Sequence, residues 1–403
     1  MNVDVAIVGA GQAGLSVSQQ LTERGIEHVV LERHDIGESW RRRWDSFCLV
    51  TPNWSVMLPG YPYDGDDPDG FMPRDEIVAF LKRYAASFSA PVKTAVAVDK
   101  VETGDRFELT TSDGPVTARS LVLATGAFQK PRRPRGAELV PKDIYQIDLD
   151  GYRNPDGLPA GAVLIVGSGQ SGCQIAEELH QAGRRVTLAC GRAPWAPRRI
   201  NDHDLVWWLM EAGFLDQFAK DLPPEARLLA NILASGHDGG HDLHLRILKR
   251  MGVTLTGRFA AVEDGRISFA SDLADSLAWG DARYEQLRSA FSDLASRRGM
   301  PPSDMADPEP ANVDMPASID LTDIGSVLFT GGFRPDFTSW IPWPTAFDDH
   351  GFPKQTDGAS DIVNGLYFVG LHFLRKRKSG LLCGVGEDAA VLAELIADRL
   401  GSA

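Results

Sequence analysis

Two glycine-rich turns constrain this chain more than any other feature. Gly9-Ala10-Gly11-Gln12-Ala13-Gly14 follows an apolar run at residues 3–8, and Gly167-Ser168-Gly169-Gln170-Ser171-Gly172 follows another at 162–166. A lone GxGxxG says little, because any tight turn favours glycine. Set between a β-branched run and a helix-like run, it specifies a strand–turn–helix unit. The first glycine permits the turn, the second lets backbone N–H groups approach a pyrophosphate, and the third packs helix on strand. The ligand then lies at the positive end of the helix. Two such units imply two dinucleotides in one chain, and electron transfer between them.

At 403 residues the chain exceeds one ordinary core, so two α/β domains are expected. The hydrophobic share of 43% and charged share of 24% are those of a soluble globular protein. A net charge of −14 and a pI near 5.1 argue against nucleic acid or anionic membrane as partners. No apolar run reaches the ~18–20 residues of a membrane span. Met1 leads straight into the first strand without room for a signal peptide, and Cys48, Cys173, Cys190 and Cys383 form no CxxC. A cytoplasmic protein without dithiol chemistry is the expectation, with Cys173 and Cys383 packed in helices as small hydrophobes.

The first unit continues with a helix over 15–24, a stop at Gly25 and a strand over 28–32 that ends in Glu32. A carboxylate at that point accepts ribose hydroxyls and repels a 2′-phosphate, which suits FAD or NAD. The plainer alternative is a solvated glutamate at a strand end. Ile77, Phe80, Leu81, Tyr84 and Phe88 form one face of a helix over 74–88. Residues 92–101, 106–111 and 115–118 form a small antiparallel meander, followed by a buried strand ending at Thr125-Gly126 and a stiff linker over 131–134.

The second unit repeats the scheme, with a helix over 173–182, Gly183 as its stop and a strand over 185–189. Here Arg192 stands where the first unit has Glu32, with Arg198 and Arg199 close behind. Arginine in that place exchanges ribose recognition for 2′-phosphate recognition and favours NADP, unless these arginines are only a surface cluster. Residues 201–250 are expected to be helical. His237, His241 and His244 resemble a metal cluster, but Gly239-Gly240 removes the helical i, i+4 spacing, so satisfied loop histidines and no metal are expected. An amphipathic acidic helix over 272–296 and an irregular connection over 301–316 follow. Strands return at 327–332 and 366–370, and the glycine-rich stretch from Gly380 and Leu381 opens a last helix over 387–400. That helix start can aim its dipole at a flavin ring, or be an ordinary capped terminus. The basic run 375–378 is expected to be a solvated loop.

These motifs resemble the class B flavin-dependent monooxygenases, the flavin-containing monooxygenases and their bacterial relatives. The resemblance covers nearly the whole chain: GAGQAG at 9–14, Glu32, Trp40-Arg41, LVLATG at 121–126, GSGQSG at 167–172 with Arg192, TGGFRPDF at 330–337 and the terminal glycine-rich helix start. It implies two Rossmann-like dinucleotide-binding domains, three-layer α/β, with the NADP domain inserted in the FAD domain. The divisions expected are 1–152 and 326–403 for FAD, and 153–325 for NADP with a helical insertion at 201–250. It implies FAD contacts from Gly9, Gly11, Gln12, Gly14, Glu32, Arg33, Trp40, Arg41, Thr125, Gly126, Gly380 and Leu381. NADPH contacts are implied for Gly167, Ser168, Gly169, Gln170, Ser171, Gly172 and Arg192. Asn53 falls where the family carries an asparagine beside the flavin, although after Pro52 it also suits a plain turn.

Two departures stand out. Gly37-Glu38-Ser39 precedes Trp40 where the family often has consecutive glycines. The linker fingerprint FxGxxxHxxx(Y/F/W) is missing, and Asp148, with Asp150, brings carboxylates to the histidine's place. Those charges are expected to weaken retention of NADP+. The implied activity is NADPH-dependent oxygenation through flavin C4a of a small nitrogen, sulfur or carbonyl substrate, with O2 as co-substrate; a homodimer is left open. The competing activity is a nicotinamide-dependent flavoprotein reductase serving a carrier or small acceptor.

Overall fold

The computed structural model describes residues 1–310 and 314–401. The first apolar run forms β1 (Asn2–Val8), and the glycine turn leads into α1 (Gln12–Glu23). Gly25, at φ 66°, ends α1 while Ile26 N–H bonds back to Leu21 C=O at 3.0 Å, the left-handed termination that favours glycine. β2 (His28–Leu31) is buried at all four residues, as a strand covered on both faces must be. α2 (Arg74–Ser87) turns Ile77, Phe80, Leu81 and Tyr84 into the core, with Phe88 just past its end. β3 (Val92–Lys93), β4 (Val98–Thr103), β5 (Phe107–Thr111) and β6 (Val116–Leu123) follow.

β6 corrects the expected division into 115–118 and 121–126. Its first half pairs antiparallel with β5, its second half parallel with the returning strand at 366–368, and β1 runs alongside both. Arg119-Ser120 interrupts the apolar pattern, but Ser120 is buried and Arg119 reaches Asp4 at 3.4 Å, so the strand continues.

The second half contains β7 (Tyr145–Asp148), β8 (Ala162–Val166), α3 (Gln170–Gln181), β9 (Val186–Ala189), α4 (Leu205–Glu211), α5 (Leu245–Met251), β10 (Thr254–Thr256), α6 (Leu273–Arg298) and β11 (Ile324–Phe329). The chain ends with β12 (Leu366–Phe368) and α7 (Val385–Gly401). Region 201–250 is less helical than expected. It holds two seven-residue helices and short 3-10 turns, because Gly213, Pro223, Gly236 and the Gly239-Gly240 pair interrupt any longer run.

In the first sheet β12, β6, β1, β2 and β3 lie side by side, and the β4–β5 hairpin is attached to β6. The second sheet is parallel throughout, in the order β7-β11-β8-β9-β10. Each glycine turn therefore leaves the C-terminal end of a central strand. Its helix crosses toward one neighbour, and a later strand covers the other side. This reversal of strand order opens the crevice where α/β sheets bind ligands. β7 and β11 both belong to the second sheet, so the sheets do not divide at 152 and 326 as expected. The chain crosses between them where Lys130–Pro131 pairs with Phe333–Arg334. β7 escaped notice because its sequence, Tyr-Gln-Ile-Asp, is half polar and only partly buried. No helix among the described residues is long and apolar enough to cross a membrane.

His244 lies at the N-terminal end of α5 against Trp195, with ring centroids 4.4 Å apart and its Nδ1 buried without a partner. Burial, then the Arg246 and Arg250 charges, pull its pKa from 6.5 to about 4. Between those values the unfolded chain takes up a proton that the folded chain refuses, so stability falls as pH falls. The loss approaches about 1.4 kcal/mol per pH unit. In urea denaturation from about pH 6.5 to about pH 4.5, wild type should lose about 2 kcal/mol more than His244→Gln. Equal losses would show that His244 titrates freely in the folded protein.

Candidate functional site

The two glycine turns share one geometry. Gly9 has φ 109°, and a Cβ there would stand 2.7 Å from Ala124 O; a Cβ on Gly14 would stand 1.9 Å from Gly9 O. In the second turn Gly167 has φ 120° and a Cβ would meet Thr330 O at 2.8 Å, while one on Gly172 would meet Gly167 O at 2.0 Å. The outer glycines are thus required by the protein's own backbone. The middle ones are not. Gly11 has φ −83°, and no heavy atom lies within 4 Å of its Cβ position; Gly169 has φ −70° and meets only Ala230 Cβ at 3.8 Å. Each middle glycine is the N-cap of its helix, with no side-chain cap and no acidic residue in the first turn. The leading N–H groups therefore face outward, unpartnered by side chains, at the positive helix end. This is a cradle for an anion that a Cβ would fill, and it fits the phosphates of a dinucleotide at both turns.

Glu32 stands beside the first cradle. Its Oε2 accepts Ala10 N–H at 2.9 Å and its Oε1 accepts His34 N–H at 3.0 Å, leaving further lone pairs free for hydroxyls. Gln12 accepts Trp40 Nε1–H at 2.9 Å and donates to Gly380 C=O at 3.3 Å, so the turn, Trp40 and the terminal glycine-rich stretch meet in one brace. Gln129 Nε2 donates to Thr125 Oγ1 at 2.6 Å and to Gly126 C=O at 2.7 Å. Leu381 is partly buried, its N–H bonded to Lys378 C=O at 2.8 Å. Arg33 is exposed, and Arg41 is committed to Asp35 at 3.1 Å and Glu38 at 3.3 Å.

Asn53 takes the turn role, the second of its two expected readings. It is 3% exposed, its Nδ2 donates to Asp67 C=O at 2.9 Å and its Oδ1 accepts Met72 N–H at 2.7 Å. Both ends of the amide hold the 67–72 loop, which is the turn role. The run 375–378 is not solvated. Arg375 pairs with Asp357 at 2.9 Å and with buried Asp388 at 3.2 Å, while Lys376 and Lys378 both grip Asp216 and Glu387. It is wedged between the segment at 214–217 and the first turn of α7, where burial pushes the Asp388 carboxyl up to about 6.

At the second cradle Ser168 Oγ accepts Gly191 N–H at 2.9 Å, tying the turn to the end of β9. Gln170 Nε2 reaches the carbonyls of Ile232 and Ala234, each at 3.4 Å, and Ser171 is partly buried. Arg192 is exposed, two residues beyond Cys190 at the strand's end. Arg198 is corrected as a phosphate candidate. It is 1% exposed, bonded to Asp204 at 2.8 Å and Val50 C=O at 2.7 Å, and stacked over Phe71. Asp148 does not present a bare charge, because Arg133 holds both its oxygens at 2.8 Å. Of the three histidines, His241 pairs with Glu177 at 2.9 Å, and no metal-holding group of side chains occurs among the described residues.

One cluster was not singled out from sequence. Arg43, Phe47, Phe128 and His372 meet beside Gly380. Arg43 Cζ is 5.0 Å from the Phe128 ring and 5.8 Å from Phe47, and Phe128 is edge-on to His372 at 4.8 Å. Arg43 was hidden as the last of three consecutive arginines; the visible signal was an aromatic two residues past the LVLATG strand.

Comparisons with known proteins agree with this architecture. The sequence pattern of the pyridine nucleotide-disulphide oxidoreductase family matches residues 6–210. An uncharacterized CzcO-like oxidoreductase of Geobacillus kaustophilus is 32% identical over 394 residues, covering 97% of both chains. A probable indole-3-pyruvate monooxygenase of Arabidopsis thaliana is 30% identical over 404 residues, covering 98% of this chain and 89% of its own. In fold, a flavin-containing monooxygenase from Stenotrophomonas maltophilia matches over 99% of both chains with a TM-score of 0.69 at 19% identity.

The contrast between outer and middle glycines is measurable in nucleotide-free protein. Gly14→Ala and Gly172→Ala should lose more than about 3 kcal/mol in urea denaturation, because a methyl is forced against backbone. Gly11→Ala and Gly169→Ala should lose about 1 kcal/mol at most, the cost of a poorer N-cap. Equal losses at all four would remove the argument that the middle glycines serve a ligand.

Proposed function

The chain belongs to the pyridine nucleotide-disulphide oxidoreductase family and is a class B flavin monooxygenase-like, flavin-dependent oxidoreductase, and on that premise we propose an FAD- and NADPH-dependent monooxygenase of small nucleophilic or carbonyl substrates. One observation carries this reading. Both middle glycines face outward over uncapped helix starts that the fold itself does not require to be bare. FAD is assigned to the first cradle, where Glu32 favours an unphosphorylated ribose, and NADPH to the second, where Arg192 offers a cation for the 2′-phosphate. The first sheet with α7 then forms the FAD half and the second sheet the NADPH half.

The bound flavin supplies the redox and oxygen chemistry. The chain supplies position. Gln12 and Trp40 lock the first turn to Gly380, Glu32 orients the ribose, and Ser168 fixes the second turn against Gly191. Arg133 neutralises Asp148 at the end of β7, which removes the reason to expect poor retention of the nucleotide. The disulfide-reducing alternative within the family is disfavoured by the thiols. All four cysteines are free and buried, and burial raises Cys48 and Cys383 to about 11 and Cys190 to about 12, far from reactive thiolates.

The purified protein should be yellow with FAD, and Gly11→Ala should be folded but colourless; normal FAD content in that variant would overturn the first assignment. NADPH should be preferred over NADH. Losing a charge-assisted phosphate contact is worth about 1.5–3 kcal/mol, so Arg192→Ala should raise KM for NADPH roughly ten- to a hundredfold and leave NADH unchanged. Equal loss for both nucleotides would make Arg192 structural. Mixing reduced enzyme with O2 in a stopped-flow instrument decides between oxygenase and reductase. A transient flavin spectrum unlike the oxidised and reduced forms supports the oxygenase; reoxidation only by an added acceptor supports the reductase.

A further inference from the structure

We propose that Arg43 is the substrate-recognition cation, and that the substrate is a small organic carboxylate with a flat apolar body. The inference rests on the proposed function in calling this ligand the substrate and in naming the flavin and nucleotide halves beside its site. Arg43 is held by its backbone, its N–H bonded to Trp40 C=O at 2.9 Å and its C=O accepting Arg74 Nη1–H at 3.1 Å. Its side chain is partly buried, with Nε shut off from solvent and without a hydrogen-bond partner. Among the described residues no carboxylate lies within ion-pair distance of it. Scarcity of acid is not the reason, since the chain has 55 Asp and Glu against 41 Lys and Arg. Its neighbours Arg41 and Arg42 both pair with Glu38, and the buried guanidinium of Arg198 has Asp204.

What surrounds Arg43 instead is aromatic. Phe128 and Phe47 present rings at 5.0 and 5.8 Å, and Phe128 also meets Phe333 at 5.6 Å. Cation–π contacts offset only part of what a desolvated charge needs. His372 cannot supply a counter-charge. Burial and the Arg43 charge hold its pKa at about 4, so it is neutral at physiological pH. The charge is therefore completed by something that enters.

The position identifies what enters. His372 Nδ1 lies 3.0 Å from the Cβ position of Gly380, whose carbonyl is braced to Gln12 of the first cradle. Phe333 belongs to the paired segments that cross between the two sheets. The niche thus lies beside the flavin half, at the passage toward the nucleotide half. Phe128 is 49% exposed, so the niche has an open, apolar side. An ionised carboxylate matches the guanidinium fork bidentately, and a flat apolar body matches the phenyl faces. Phosphate-bearing ligands are served by the two uncapped helix starts instead.

The test is calorimetric titration of the purified protein with phenylacetate and with its neutral isostere phenylacetamide, a readout that needs no turnover. Phenylacetate should bind at least roughly tenfold more tightly to wild type. Arg43→Met should abolish that preference, and Arg43→Lys should keep part of it. Because Arg43→Met removes an unpaired charge and keeps the stem, its Tm and FAD content should match wild type. Equal binding of the two probes, no heat from either, or a preference that survives in Arg43→Met would overturn the proposal. Loss of flavin in Arg43→Met would also overturn it, by assigning the cation to the cofactor. Wild-type protein without flavin would instead sink the reading of the first cradle, and the carboxylate preference would still be measured.

Discussion

The structure depends on a contact that only glycine allows. In each half a carbonyl oxygen of the turn's first glycine occupies the place where the third glycine's Cβ would be, at 1.9 Å in one turn and 2.0 Å in the other. This pulls α1 onto the end of β1 and α3 onto the end of β8. The first glycine in turn abuts the backbone just past a neighbouring strand, Ala124 after β6 and Thr330 after β11. Strand, turn, helix and next strand are thereby fixed as a unit, and the bare helix start points into the crevice between strands. Both bare helix starts, the cradles proposed for dinucleotide phosphates, are consequences of that packing.

Given one backbone device used twice, the differences lie in the residues around it. The first turn is braced over a span of 368 residues, by the hydrogen bond from Gln12 to Gly380. The second is braced to Gly191 at the end of β9 and to the 232–234 segment that covers it. The first cradle is therefore complete only when the C-terminal segment has returned, whereas the second is completed within its own half. The same asymmetry appears in charge. Glu32 directly follows β2 and Arg192 lies three residues past β9, and their opposite signs are the basis of the proposed discrimination between two riboses.

What was legible in sequence was whatever depends on local pattern. Residues 3–8 and 162–166, with their glycines, Glu32, Gly25 and Gly183, specify strands, turns and helix stops within a few neighbours, and these elements formed as expected. What was illegible depends on partners far away in the chain. Arg198 looks like any surface arginine until Asp204, Val50 and Phe71 enclose it, and Asn53 looks free until residues 67 and 72 claim both ends of its amide. β7 is too polar to read as a strand because its pairing with β11, not its own hydrophobicity, makes it one. Membership of β11 in the second sheet follows only from knowing which edge of β8 was unfilled.

These partnerships also separate structural cations from the others. In a chain with acids in excess, folding can supply a carboxylate to a buried arginine, and at Arg198 and Arg375 it has done so. Such pairs owe their retention to geometry, since a buried ion pair seldom stabilises more than an apolar replacement would. Arg43 breaks the pattern in a way that packing alone does not account for. An apolar side chain would satisfy Phe47 and Phe128 at least as well, without the cost of desolvating a guanidinium. Its neutral neighbour His372 brings no counter-charge that would lower that cost. A charge kept where folding gains nothing from it is a charge kept for a ligand, and the aromatic walls restrict that ligand to one with an apolar face beside its anion.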